Sequence, residues 1–192
     1  MLKKIADKAG SEMAITDQNG LAKSFKLLNN AYLGIRKLHT DQQGVATYES
    51  NILAGDILRT EHGTYLTVSV LTLDYYRGQV IRRWLDLVDS NNFVSVYRPT
   101  VISNGQGGIT GKTEELIHEN IPVKIGTVSL TVADDLDTTR SLFGMLLSSH
   151  YPVKMGDILK FATHYETAKV DGIKLNYDGV FEIAFDKEPR WI

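Results

Sequence analysis

The chain has 192 residues, of which 43% are hydrophobic and 23% charged, and a formal net charge of -2. This balance excludes a disordered chain, and the weak negative charge argues against a dedicated nucleic-acid binder or a protein held on an anionic membrane. No cysteine is present, so disulfides, thiolate chemistry and cysteine-bound zinc are excluded and packing alone must hold the fold.

Residues 1–29 read as an N-terminal arm. Met1 to Lys8 is basic but has no apolar run behind it, so it is not a secretory signal. Lys3 to Ala9 predicts a short helix, Asn19-Gly20 marks a turn, and Leu21, Phe25 and Leu28 share one helical face. The longest apolar runs, such as Phe143 to Leu147, are too short to span a bilayer. The expectation is a soluble cytoplasmic product that joins an assembly.

A first β unit is predicted over residues 30–102. Tyr32 to Leu38 alternates in part, and Val45 to Tyr48 follows a Gln42-Gln43-Gly44 turn. Asp56 to Thr60 and Thr64 to Thr72 form a hairpin around Glu61-His62-Gly63, with Leu66, Val68 and Val70 directed inward. Residues 79–88 suit a short helix and a strand equally. Phe93 to Arg98 alternates strictly and is closed by Pro99.

Residues 103–120 hold Gly105, Gly107, Gly108 and Gly111, which predict a flexible loop and a boundary between two halves. A short helix is expected from Glu114 to Asn120, before Pro122. Residues 121–192 form a second β unit. Its Ile121 to Val132 strand offers Val123, Ile125, Val128, Leu130 and Val132 to the core. Leu142 to Leu147 and the alternating Val180 to Phe185 add strands, and Asp171-Gly172 and Asp178-Gly179 read as turns. Short strands with glycine-rich turns give the fold class: mainly β, in small barrel or sandwich units, with a short N-terminal helix.

The two β units share a repeat. Gly55-Asp56-Ile57-Leu58-Arg59 returns as Gly156-Asp157-Ile158-Leu159-Lys160, and Tyr65-Leu66-Thr67 is echoed by Tyr165-Glu166-Thr167. One β-hairpin used twice points to a scaffold before it points to an active site.

The motifs that could carry chemistry are weak. Gly111-Lys112-Thr113 ends like a phosphate-binding loop, but Gln106 stands where that loop needs its first glycine, and no buried parallel strand precedes it. His39, His62, His118, His150 and His164 show no metal-ligand spacing, and Asp134, Asp135 and Asp137 lack the further oxygen ligands of a calcium loop. No Gly-x-Ser-x-Gly elbow occurs. The residues therefore nominate no catalytic, cofactor-binding or metal-binding position, and the chain reads as a non-enzyme. Arg82-Arg83-Trp84 and Tyr97-Arg98 interleave bases with aromatics. That composition fits a protein–protein interface or a single-stranded nucleic-acid groove, and nearby Asp86, Asp89 and Glu114 favour the interface. Arg190 and Trp191 close the chain as a further candidate contact.

Val153-Lys154-Met155-Gly156-Asp157-Ile158-Leu159, with Tyr165 and the closing Val180 to Phe185 strand, resembles the small β-barrel proteins of tailed bacteriophages, best known as head-closure or stopper proteins of the neck. The likeness covers about residues 121–191, with residues 50–72 as a weaker echo. It departs from the family at Tyr165-Glu166-Thr167-Ala168, which lacks the valine two residues after the tyrosine. The resemblance implies a structural virion protein made in the host cytoplasm. Copies would form a ring between a portal or adaptor and the tail, with double-stranded DNA passing through and no membrane involved. Tail-completion or baseplate proteins are the related alternative. Gly105, Gly107, Gly108, Gly111 and Lys112 are the candidate channel or interface loop; Arg82, Arg83, Tyr97, Arg98, Arg190 and Trp191 are the candidate interface.

Overall fold

The computed structural model describes residues 10–16, 22–28, 42–47, 50–60, 63–76, 79–103, 106, 109–131, 139–163, 167–177 and 179–187. Among them the regular structure is all strand: β1 (Gly10–Thr16), β2 (Ala22–Leu28), β3 (Gln42–Thr47), β4 (Ile57–Thr60), β5 (Gly63–Tyr76), β6 (Gln79–Asp89), β7 (Asn92–Ser103), β8 (Ile109–Thr131), β9 (Thr139–Ser148), β10 (Ile158–Phe161), β11 (Ala168–Tyr177) and β12 (Val180–Lys187). The mainly β expectation holds.

Several local readings need correction. Of the helical face Leu21 to Leu28, residues 22–28 are strand β2, paired throughout with β1, and Leu21 lies outside the described residues. Phe25 is buried; the spacing of four and then three residues matched a helix by coincidence, and pairing with β1 and β3 decided otherwise. Glu114 to Asn120 lies inside the continuous strand β8 rather than in a helix. Pro99 does not end β7, and Asp171-Gly172 lies within β11 rather than in a turn. The ambiguous segment at 79–88 is strand β6. Lys3 to Ala9, Tyr32 to Leu38, Asp134 to Asp137 and Tyr165 lie outside the described residues.

The strands close into two barrels, ordered β1-β2-β3-β6-β5-β4 and β7-β8-β9-β12-β11-β10. The two orders are the same, strand for strand. Thr16 against Arg59 closes the first, and β7 against β10 from Tyr97–Ile158 to Val94–Phe161 closes the second. In each, three strands are followed by a connection that returns the chain to the first strand's free edge. By compactness the chain divides into one unit of residues 1–90, 148–150 and 177–180, and a second of 91–147, 151–176 and 181–192. The division falls after Ser90, not in the glycine-rich segment at 103–120 that the composition suggested.

Barrel interiors fill as period-two alternation requires. In β7, Asn92, Val94 and Val96 are buried while Phe93, Ser95 and Tyr97 are half-exposed. Phe25, Ala46, Ile52, Leu58, Tyr65, Leu85 and Leu87 form one core cluster. In the second barrel Val123, Met145, Leu147, Leu159, Phe161 and Phe185 are buried, and the rings of Phe161 and Phe185 meet at 5.1 Å. Of the inward set expected in β5, Leu66 and Val68 are buried and Val70 packs partly against the cluster.

The repeated Gly-Asp segment does the same job twice. Asp56 N–H donates to Leu53 O at 3.2 Å and Asp157 N–H to Lys154 O at 3.1 Å, closing four-residue turns whose third residues, Gly55 and Gly156, have φ of +90° and +84°. A turn with positive φ at that position favours glycine. The buried carboxylates then accept from the first residue of each turn: Leu53 N–H to Asp56 Oδ2 at 3.0 Å, and Lys154 N–H to Asp157 Oδ2 at 2.8 Å. Gly55 N–H reaches Thr67 O at 2.7 Å and Gly156 N–H reaches Val170 O at 2.9 Å, locking each turn to the next strand.

Candidate interaction surface

Beyond the second barrel wall, β7 and β8 continue together as a two-stranded arm. The pairs Arg98–Glu115, Pro99–Glu114, Thr100–Thr113, Val101–Lys112 and Ile102–Gly111 run to Ser103–Ile109. β10 covers β7 only from Val94 to Tyr97, and β9 covers β8 only from Lys124 to Thr131. From Pro99 the arm reaches roughly 15 Å at strand rise. It leaves the barrel at register shifts between Val94 and Tyr97, near Asn120, whose φ is +53° and whose N–H is held by Ser95 Oγ at 3.1 Å. Bulges of this kind bend a ribbon out of a barrel wall.

The arm is anchored at its base by charge. Arg98 donates from Nε to Asp157 Oδ1 at 3.0 Å and from Nη2 to Asp157 Oδ2 at 2.9 Å, a two-pronged pair with the carboxylate of the repeated turn. This hydrogen bonding raises the guanidinium further above its ordinary value, against the smaller effect of desolvation. Lys160 Nζ lies 2.7 Å from Glu114 Oε2 and 4.0 Å from the centre of the Tyr97 ring. The hydrogen bond to Glu114 holds that ammonium protonated above the usual lysine range. On the neighbouring stretch of β8, His118 packs edge-on against Tyr151, 5.4 Å between centres.

Further out, the ribbon is exposed on both faces. Val101 and Ile102 are about half exposed, at 53% and 49%, beside exposed Lys112 and Thr113, and at the base Leu116, opposite Tyr97, is 45% exposed. An isolated two-stranded ribbon is marginally stable in water, and its exposed apolar side chains make it a candidate contact surface.

The candidate residues are distributed unevenly across this geometry. Gly111 and Lys112 belong to the arm, within β8 and not in a flexible loop; Gly105, Gly107 and Gly108 lie outside the described residues, as do Arg190 and Trp191. Gly111-Lys112-Thr113 is extended strand, so it does not form the loop-to-helix cradle a phosphate requires. Arg98 and Tyr97 sit at the arm's base. Arg82, Arg83 and Trp84 lie elsewhere, half-buried on β6 of the first barrel, where Arg83 Nη1 donates to Ile52 O at 3.1 Å. Two of these bases are engaged inside their own units, Arg83 with Ile52 O and Arg98 with Asp157.

Comparison with protein families, with curated proteins and with solved structures finds no match. Sequence reading missed Val101, Ile102 and Leu116 as surface residues. The available signal was the β-branched pair Val101-Ile102 before the glycines and Ile109-Thr110 after them, which together describe a hairpin with a glycine-rich tip.

Proposed function

We propose that this chain is a structural component of a tailed-bacteriophage virion, a ring-forming head–tail connector of the head-closure or neck type. The observation that carries the reading is the exposed β7–β8 arm. It has apolar side chains on a ribbon that needs further contacts to be stable, and it is fixed to a rigid barrel by the Arg98–Asp157 pair. Two barrels of one strand order supply a stiff scaffold for such arms. The arm reaches a neighbouring copy, and the sequence that holds Gly105, Gly107 and Gly108 serves as the channel segment, passing DNA without base recognition. Portal or adaptor proteins lie on one side and tail proteins on the other.

Imaging of particles labelled on this chain tests the proposal. A ring at the neck is the expected result; a ring at the distal end of the tail shifts the role to baseplate or tail completion. A chain absent from particles, or present as isolated single copies, ends the connector reading. The single-stranded nucleic-acid reading predicts salt-sensitive binding lost on replacing Arg82 and Arg83.

A further inference from the structure

We infer that the outer edge of β8, along Gly111 to Glu115, pairs antiparallel with the same edge of a second copy of this chain, around a two-fold axis at Thr113. The inference goes beyond the virion reading and does not depend on it. The two edges of the arm differ. On β7, Pro99 has no N–H to offer, and a proline within a sheet sits where that missing donor faces outward. The β7 edge is therefore guarded, as exposed edges usually are.

Across the ribbon Pro99 faces Glu114. In an antiparallel pair, residues opposite each other direct their backbone groups the same way, both inward or both outward. An outward Pro99 places the N–H and C=O of Glu114 outward, and with them those of Lys112 and Leu116. No described strand covers them. This edge is a template for strand addition.

Charge selects the occupant and the register. Two copies of one edge related by a two-fold axis normal to the sheet must pair residues of equal parity, or the faces would not match. Centring the axis on Lys112 sets ammonium against ammonium, and centring it on Glu114 or Glu115 sets carboxylate against carboxylate. Centring it on Thr113 places Lys112 opposite Glu114 twice and Glu115 opposite Gly111, with no like charges facing. The Lys112–Glu114 positions are also those whose backbone groups point outward, so each cross pair exchanges main-chain hydrogen bonds as well as opposite charge. Lys112, Thr113, Glu114 and Glu115 are all exposed, and Glu114, which also meets Lys160 Nζ at 2.7 Å, would share its carboxylate between that ammonium and Lys112 of the second copy.

The absence of cysteine makes the test clean. Thr113 on the axis would be a non-hydrogen-bonded pair, with Cα atoms about 4.5 Å apart, within the range a disulfide bridges. Thr113→Cys should form a covalent dimer on mild oxidation. Glu115→Cys should not, since its two copies stand four residues out of step, about 13 Å apart. Sedimentation of the unmodified chain should show a concentration-dependent dimer, and Lys112→Glu should weaken it about tenfold by turning two attractive cross pairs repulsive. A wild-type chain that stays monomeric at high concentration overturns the inference. So does equal crosslinking at positions 113 and 115, or a dimer indifferent to Lys112→Glu.

Discussion

The two Gly-Asp turns are the same device in different surroundings. Each ends the connection that carries the chain back to the barrel's first strand, each places glycine at positive φ, and each buries an aspartate that caps its own turn. Their further partners differ: Asp56 Oδ1 lies 3.8 Å from His150 Nε2, whereas Asp157 holds Arg98 in a two-pronged pair, and through Arg98 the root of the arm. In the first, a Cβ on Gly55 would stand 2.5 Å from the carbonyl oxygen of Gly179, a residue of the same compact unit, whereas one on Gly156 would meet nothing nearer than Lys169 Cε at 3.7 Å. A repeated fold fixes the backbone; the neighbours decide what each copy is used for.

If the repeat is a true structural equivalence, matched substitutions should cost the same. Leu58 and Leu159 are both fully buried and follow the two turns at the same offset. Leu58→Ala and Leu159→Ala should each destabilise the chain by about 2–5 kcal/mol, with values alike to within the usual scatter. Urea unfolding of both variants gives the comparison, and a large disparity would break the equivalence.

The glycines should separate where the leucines agree. Gly156→Ala meets only the left-handed backbone penalty, about 1–2 kcal/mol. Gly55→Ala adds a backbone clash and should cost about 3 kcal/mol. Equal losses in thermal unfolding would mean that the close approach at Gly55 relaxes without cost.

Thr67 offers the opposite sign. It matches Val170 in the lock onto the turn, and its side-chain hydroxyl is buried without a hydrogen-bond partner. Thr67→Val makes the first barrel like the second at this point and should stabilise by about 1 kcal/mol, since an unsatisfied buried hydroxyl is replaced by a group of the same shape. A loss of stability would indicate that the hydroxyl has a partner in solution.

The smallest effect appears only in alkali. Tyr65 pairs with Leu58 as Ala168 pairs with Leu159, so the second barrel has no phenol here. Burial first, and the nearby charge of Asp89 second, raise the Tyr65 phenol above its ordinary value. The folded chain thus favours the neutral form. Its contribution is full below pH about 10, the unfolded value, and declines as pH rises toward the folded one. Denaturation measured across that range should fall less steeply for Tyr65→Phe than for the wild type.

The register also shows how the repeat misled in detail. Tyr65-Leu66-Thr67 shares its tyrosine and threonine with Tyr165-Glu166-Thr167 by letter, but the pairing matches Tyr65 with Ala168 and Thr67 with Val170. The link between β4 and β5 covers only residues 61–62, whereas that between β10 and β11 covers 162–167, so the second returning strand starts later. A longer link costs little entropy, which lets spacing drift while the strand pairing stays.

What residue order alone determined was local: the turn chemistry of Gly55-Asp56 and Gly156-Asp157, the alternation of β7, and hence a mainly β chain with an internal repeat; in β5 and β12 the expected alternation gives way to runs buried on both faces, Tyr65 to Val68 and Ile183 to Phe185. These features depend on φ preferences and on period-two burial, both of which act over a few residues. Closure into barrels, the division after Ser90 and the strand state of Ala22 to Leu28 and Glu114 to Asn120 came only from tertiary pairing. Strand partners distant in the chain, such as Val45 with Trp84 or Tyr97 with Ile158, leave no nearby pattern to read, and their hydrogen bonds and packing override what the local sequence prefers.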